Sequence, residues 1–299
     1  MLSGWEPGSG PIHKESLYRR GQVRVKMAHG PEVGAEFILL PLLRHREAGV
    51  TVEHDRKPAS AVEGYRSAEG RRMTQDRSFS LAVIDMAGTT VKEGAVQEEA
   101  FARALGAHGV IEGSEAFDAM TFHARRSMGT SKELVFRQLF EDATTALAVN
   151  RSFEAAYDSL LARHGVEPIE GAEEAILALR ESGLKICLAT GFGRHTQNML
   201  LESLGWMGLA DLSLCPSDAG RGRPYPDIIL TAVLALDIED VRSVLVAGDT
   251  TSDILAGRRA GAGAVVGVLT GAHSEAELRL AGADAVLPSM CGLQQWLAG

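Results

Sequence analysis

Four short segments hold the residues whose types and spacing could do chemistry: Asp85-Met-Ala-Gly-Thr-Thr90, Thr190-Gly-Phe-Gly193, Gly222-Arg-Pro-Tyr-Pro226 and Gly248-Asp-Thr-Thr-Ser-Asp253. Together they supply three carboxylates, a hydroxyl beside glycine-flanked N–H groups, and a guanidinium. Carboxylate oxygens are hard ligands that suit Mg²⁺, which takes one or two of them together with substrate phosphate and water. Arginine and backbone amides suit phosphoryl oxygens. The set is that of phosphoryl transfer. A lone Asp at a strand end is more readily a helix N-cap, so the reading depends on the four segments meeting.

Meeting requires a scaffold. LAVID (81 to 85) is a short apolar run ended by AGTT, and a helical pattern rich in Ala, Leu, Glu and Arg follows from about 96 to 165. Helical and apolar runs then alternate: EEAILALRESG with LKICLAT, TQNMLLESLG with LSLCPSD, PDIILTAVLAL with SVLVAGD, and ILAGRRAGAG with AVVGVLT. Strands that are apolar throughout and alternate with helices predict a parallel sheet covered on both faces, an α/β doubly wound, Rossmann-like core. Ligands collect at the carboxyl ends of such strands, where all four segments lie. The expected organisation is a core from 79–94 and 167–299, with an inserted all-helical domain at 95–166 over that edge.

Residues 1–78 read differently. The first 75 hold 12 Lys or Arg against 9 Asp or Glu and five of the ten prolines. Their best core candidate, Phe37 to Leu43, is broken by Pro41, so a poorly ordered extension is expected. MTQDRSFS from Met73 leads directly into the first strand, and a biological start there is the other reading. The chain of 299 residues has a net charge of −9, which gives no general reason to bind nucleic acid or an anionic membrane. FILLPLL (37 to 43) is too short to span a bilayer, and the start lacks the basic and apolar regions of a secretion signal. Cys187, Cys215 and Cys291 are odd in number and widely spaced, which fits a reducing cytoplasm.

The order Asp-x-x-x-Thr, Thr-Gly, a basic residue and Gly-Asp-x-x-x-Asp resembles the haloacid dehalogenase superfamily, with the helical insertion as its mobile cap. Asp85-Met-Ala-Gly-Thr-Thr-Val91 and Gly-Arg-Pro-Tyr-Pro are similar to its phosphonoacetaldehyde hydrolase (phosphonatase) branch, from about residue 80 to the end. The resemblance implies that Asp85 is a nucleophile that forms an aspartyl-phosphate. It implies Mg²⁺ held by Asp85, the Ala87 carbonyl, Asp249 and Asp253, the last directly or through water. Thr190, the Gly191 N–H and Arg223 would clamp the phosphoryl oxygens, with Thr89, Met128 and Gly129 completing the substrate site.

Most phosphatases of the superfamily have a second Asp two residues after the nucleophile, whereas this chain and the phosphonatase branch have alanine, here Ala87. Without that acid, ester hydrolysis loses a helper worth about 10²–10⁴-fold. In the phosphonatase branch the leaving group is a carbon, made acceptable when a cap lysine forms an imine with the substrate aldehyde. Met128-Gly-Thr-Ser-Lys132 resembles the segment carrying that lysine. Thr130-Ser-Lys-Glu133 predicts a capping box opening a helix through Val135 and Leu139, whose positive end favours a neutral, attacking amine. Three accompanying residues differ from the branch: Ala95 stands for a cysteine, Val135 for a histidine and Phe192 for a tyrosine.

The expected activity is Mg²⁺-dependent cleavage of a phosphoryl group from a small phosphonate, phosphonoacetaldehyde or a close analogue. The alternatives are a phosphatase for a small ester such as phosphoglycolate and a non-catalytic phosphate-ligand module. No nucleic-acid or membrane partner is expected, and a homodimer is admitted. Arg125 and Arg126 are read as a helix-face charge pair in preference to substrate contacts, and Gly267 to Gly271 as loop backbone near the site.

Overall fold

The computed structural model describes residues 78–92 and 96–298. The expected extension, including Phe37 to Leu43 and Met73, lies outside the described residues apart from Ser78, as does Ala95.

Six strands form one parallel sheet: β1 (Leu81–Asp85), β2 (Lys185–Ala189), β3 (Leu212–Leu214), β4 (Val244–Gly248), β5 (Ala264–Val268) and β6 (Ala285–Leu287), in the order β3-β2-β1-β4-β5-β6. This is the doubly wound Rossmann-like arrangement expected. The order reverses beside β1, the point where such sheets open a crevice at their carboxyl ends. β1 pairs on one side with β2, Asp85 opposite Ala189, and on the other with β4, Ile84 opposite Ala247.

Alternation along β1 divides the core in two. Ala82, Ile84 and Met86 enter one apolar cluster, Leu81 and Val83 the other, all at most 3% exposed. The second cluster packs α8 (Asp227–Ala235), α9 (Thr251–Ala260) and α10 (Glu275–Ala281) on one face of the sheet. The first takes in α5 (Ala172–Glu181), α6 (Arg194–Ser203) and α11 (Leu293–Ala298), and continues into the helices between β1 and β2. Each fully buried Leu or Ile contributes about 1.5–3 kcal/mol, so both faces must be covered for the sheet to persist.

The expected helical pattern at 96 to 165 is four helices: α1 (Val96–Ala107), α2 (Glu115–Arg126), α3 (Lys132–Leu139) and α4 (Ala143–His164). α4 starts where the Asp142 carboxylate accepts from the Thr145 N–H at 2.7 Å and stops at Gly165, whose φ of +79° favours glycine. Phe101 stacks on Phe136, which meets Phe153 at a tilt, and Tyr157 and Phe153 of α4 stack on Phe192 just past β2, with centroids 4.6 and 6.3 Å apart. The helices therefore share a core with the sheet. Their entry and exit are tied together as well: Val91 bridges Pro168, and Lys92 N–H donates to the Glu167 carbonyl at 2.9 Å.

One local expectation is corrected. α3 begins at Lys132 after Ser131, with no side-chain cap and no box between Thr130 and Glu133. Thr130 Oγ1 instead lies 3.0 Å from Ser252 Oγ of α9, and Glu133 pairs with Arg137. A hydrogen bond to the core has replaced the local one.

Among the described residues, no helix is long and apolar enough to cross a membrane.

Candidate active site

β1, β2 and β4 end side by side, and each delivers one of the predicted segments to the reversal point. Asp85 is the last residue of β1, Thr190 follows β2, and Asp249 follows β4; all three are buried. Arg223 arrives from the loop between α7 (Pro216–Ala219) and α8, and its guanidinium contacts both Asp85 and Asp253 through Nη1. Arg223 Nε is buried without a hydrogen-bond partner among the described residues.

Burial holds the Asp85 carboxyl well above the usual carboxylate range; Arg223 opposes this, and Asp253 and Asp249 reinforce it. Burial likewise opposes the charge of Arg223, but Asp253 and Asp85 outweigh it and keep the guanidinium protonated. Carboxylate oxygens of Asp85, Asp249 and Asp253 all lie within 4.8 Å of one another. Three buried carboxylates against one buried guanidinium leave negative charge in a low dielectric, and an all-oxygen donor set of this kind fits a hard divalent cation.

Neighbouring residues orient these acids. Thr89 Oγ1 donates to Asp249 Oδ1 at 3.0 Å, while the Ala272 N–H donates to Asp249 Oδ2 at 2.8 Å. Thr270 Oγ1 donates to the Gly88 carbonyl at 2.7 Å, so the loop after β5 does reach the site. Asp253 is the third residue of α9 and accepts from the Thr250 N–H at 3.1 Å as half of a capping box. Its carboxylate thus serves the helix start and Arg223 together.

A cavity of about 20 Å³ joins these parts. Asp85, Ala87, Thr190, Gly191, Arg223, Gly129 and Lys132 line it, and so do four residues not predicted as site residues, Gln97, Thr130, Phe192 and Thr250. Asp249 and Asp253 stand behind this wall, and Thr89 lies behind Asp249 in turn. Met128 Sδ accepts from Gln97 Nε2 at 2.7 Å and faces an adjoining cavity. Lys132 opens α3, its N–H donates to the Gly191 carbonyl at 3.4 Å, and its Nζ lies 5.5 Å from the centroid of Phe192. Arg125 forms a two-pronged pair with Glu98 at 2.9 and 3.0 Å, and Arg126 lies over Phe122, so both stay on the helix faces.

Glycines set how closely the insertion meets the core. At Gly129, φ is +76° and a Cβ would run into the Thr250 side chain; at Gly222 it would lie 2.5 Å from Ser131 Cβ. The segment from 129 to 132 therefore sits directly on the loops carrying Thr190, Arg223 and Asp249, and the site is closed over.

Curated relatives include the phosphonoacetaldehyde hydrolases of Bacillus cereus (strain ATCC 10987 / NRS 248) and Bacillus anthracis, each 31% identical over 211 residues that span 64% of this chain and 76% of the relative. Among solved structures, a hydrolase from Pseudomonas syringae superposes with a TM-score of 0.64 at 26% identity, covering 73% of this chain and 98% of its own. A phosphonoacetaldehyde hydrolase-like protein from Oleispira antarctica gives 0.61 at 25% identity, covering 74% and 91%. The family model for haloacid dehalogenase-like hydrolases matches residues 79–261. That match runs from the strand that carries Asp85 through the helix that carries Asp253, and the chain belongs to the haloacid dehalogenase-like hydrolases.

Proposed function

We propose that the protein hydrolyses the carbon–phosphorus bond of a small phosphonate aldehyde such as phosphonoacetaldehyde, using Asp85 as nucleophile and Lys132 as imine-forming amine. The observation that carries this is one cavity wall shared by Asp85 and Lys132, with Ala87 in place of an acid beside them. The names of the relatives point the same way.

Asp85, the Ala87 carbonyl, Asp249 and Asp253 would hold Mg²⁺, which when bound neutralises charge on the phosphoryl oxygens. Thr190, the Gly191 N–H and Arg223 orient the phosphoryl group, and Gly129 shapes the wall opposite, while Met128 braces Gln97 from the adjoining cavity. The Lys132 amine condenses with the aldehyde carbon and releases water. Asp85 then bonds to phosphorus as the carbon–phosphorus bond breaks, its electron pair passing toward the iminium nitrogen to give an enamine. That carbon takes a proton, one water releases the aldehyde and the amine, and a second water frees phosphate from Asp85.

A cavity of about 20 Å³ has room for little more than one water, so the substrate enters only when α1–α4 lift as a cap and is enclosed when they return. A second reading, a small-ester phosphatase of the phosphoglycolate type, is favoured by Val135 and Phe192, which put apolar groups where an imine needs proton carriers. Borohydride added with phosphonoacetaldehyde separates the two: a reduced adduct on Lys132 supports the imine route, and phosphate release from phosphoglycolate without any adduct rejects it.

A further inference from the structure

A second cavity, of about 30 Å³, lies within the helical insertion. Phe101, Ala124, Met128, Val135, Phe136 and Phe153 make its apolar wall, and the Glu98–Arg125 ion pair borders it. Gln97 and Lys132 line both this cavity and the one that holds Asp85. Lys132 thus stands at a junction, with the phosphoryl-binding groups on one side and an apolar recess on the other.

A carbonyl carbon bonded to Lys132 Nζ is trigonal and carries two further substituents, which diverge by about 120° from one another. One is the CH₂ that leads to phosphorus and Asp85. The other must point away from Asp85, toward the recess. In phosphonoacetaldehyde that substituent is a hydrogen, which leaves the recess without a contact. One water-sized group needs about 10–15 Å³, so the recess suits a methyl or a hydroxymethyl group. Thr121 Oγ1 also lines it and is buried with no hydrogen-bond partner among the described residues, which provides for the hydroxyl.

We propose that this recess is a specificity pocket and that the substrate class extends to three-carbon 2-oxophosphonates, in which a methyl or hydroxymethyl follows the carbonyl. The inference rests on the imine reading above. With 2-oxopropylphosphonate the Lys132 amine loses water to form the ketimine, and Asp85 takes phosphorus as the carbon–phosphorus electron pair enters the enamine. Protonation at carbon and hydrolysis then give acetone, the free amine and phosphate.

The test measures kcat/KM for phosphonoacetaldehyde and for 2-oxopropylphosphonate by phosphate release from the full chain with Mg²⁺. The ketone is expected within about a hundredfold of the aldehyde, its slower imine formation offset by the buried methyl. Ala124→Leu, which fills the recess from a half-buried position on α2, should lower the ketone-to-aldehyde ratio by about tenfold or more, and Val135→Leu should lower it too. Thermal denaturation of each variant confirms folding. Turnover of the aldehyde without the ketone, or a ratio unchanged in both variants, overturns this inference alone. Cleavage of a phosphate ester with neither oxophosphonate touched overturns the imine reading and the pocket with it.

Discussion

Lys132 Nζ rests over the ring of Phe192, 5.5 Å from its centroid, so that a residue of the insertion and a residue of the sheet edge meet across the active-site cavity. A cation so placed gains about 0.5–2 kcal/mol, depending on how far water is excluded. Arginine would keep that contact but cannot form a useful imine. Lys132→Arg should therefore fold with an unchanged Tm and lose orders of magnitude in kcat/KM on phosphonoacetaldehyde, with far less loss on any phosphate ester. Wild-type turnover of phosphonoacetaldehyde by this variant would remove the lysine from the mechanism.

Asp85→Asn separates chemistry from stability. Burial makes the charged Asp85 costly, and an amide of the same size relieves that cost while Asp253 still pairs with Arg223. Turnover should vanish, and the Tm measured without Mg²⁺ should equal or exceed that of wild type. A fall in Tm would mean that the Asp85–Arg223 pair stabilises the fold.

Chelation should stop phosphate release, and added Mg²⁺ should restore it. Thr89→Val deletes the hydroxyl that holds Asp249, and outer groups of this sort are worth about 10–100-fold in metal affinity. The Mg²⁺ concentration for half-maximal activity should rise accordingly. If it stays at the wild-type value, Asp249 is not oriented through Thr89.

Gly129→Ala tests the closed contact. The new methyl meets Thr250, and the left-handed φ adds strain, so the segment carrying Lys132 must draw back from the core. A displacement of 1 Å can cost about 10²-fold, and kcat/KM should drop by that order, well beyond any change in Tm. Crystallography or fluorescence of the variant would show the altered approach.

Glu154 offers a test in pH. Burial raises its carboxyl above the ordinary value, Asp158 and Glu133 add to this, and Asn150 and the Gly193 N–H pull it back. The folded state then holds its proton more tightly than the unfolded chain, so stability falls as pH rises above about 4.3, the free value. Glu154→Gln should raise Tm at pH 7 to 8 and lose that advantage toward pH 4. An equal effect at both pH values would assign the change to packing instead.

Three strand-end segments were legible because each pairs an apolar run with a Gly- or Thr-rich stop, and the parallel sheet follows from strands without polar alternation; the 222–226 segment, expected at a fourth strand end, instead reaches the site from the loop after α7. Lys132 in the first turn of α3 was legible as well. The Thr130 box was misread, because its local signal could not report Ser252, which is distant in sequence and adjacent in space. β6 is an apolar run of only three residues, Ala285–Leu287, too short to stand out. Gln97 gave no signal at all: it is an ordinary helical residue that becomes a wall when α1 is folded over β1. Asp253 carried a visible hint of its second task in the Thr250-x-x-Asp253 spacing of a helix start.

β1 works as a ruler. Side chains alternate along a strand, so sliding β1 by one residue would exchange Asp85 for Ile84 or Met86 at the sheet's reversal point. Pairing with β2 on one flank and β4 on the other fixes that count twice. A single-residue insertion or deletion inside Leu81–Asp85 would then be far more damaging than a substitution there: it would send the carboxylate to the other side of the sheet while Thr190, Arg223 and Asp249, carried by other elements, stayed in place.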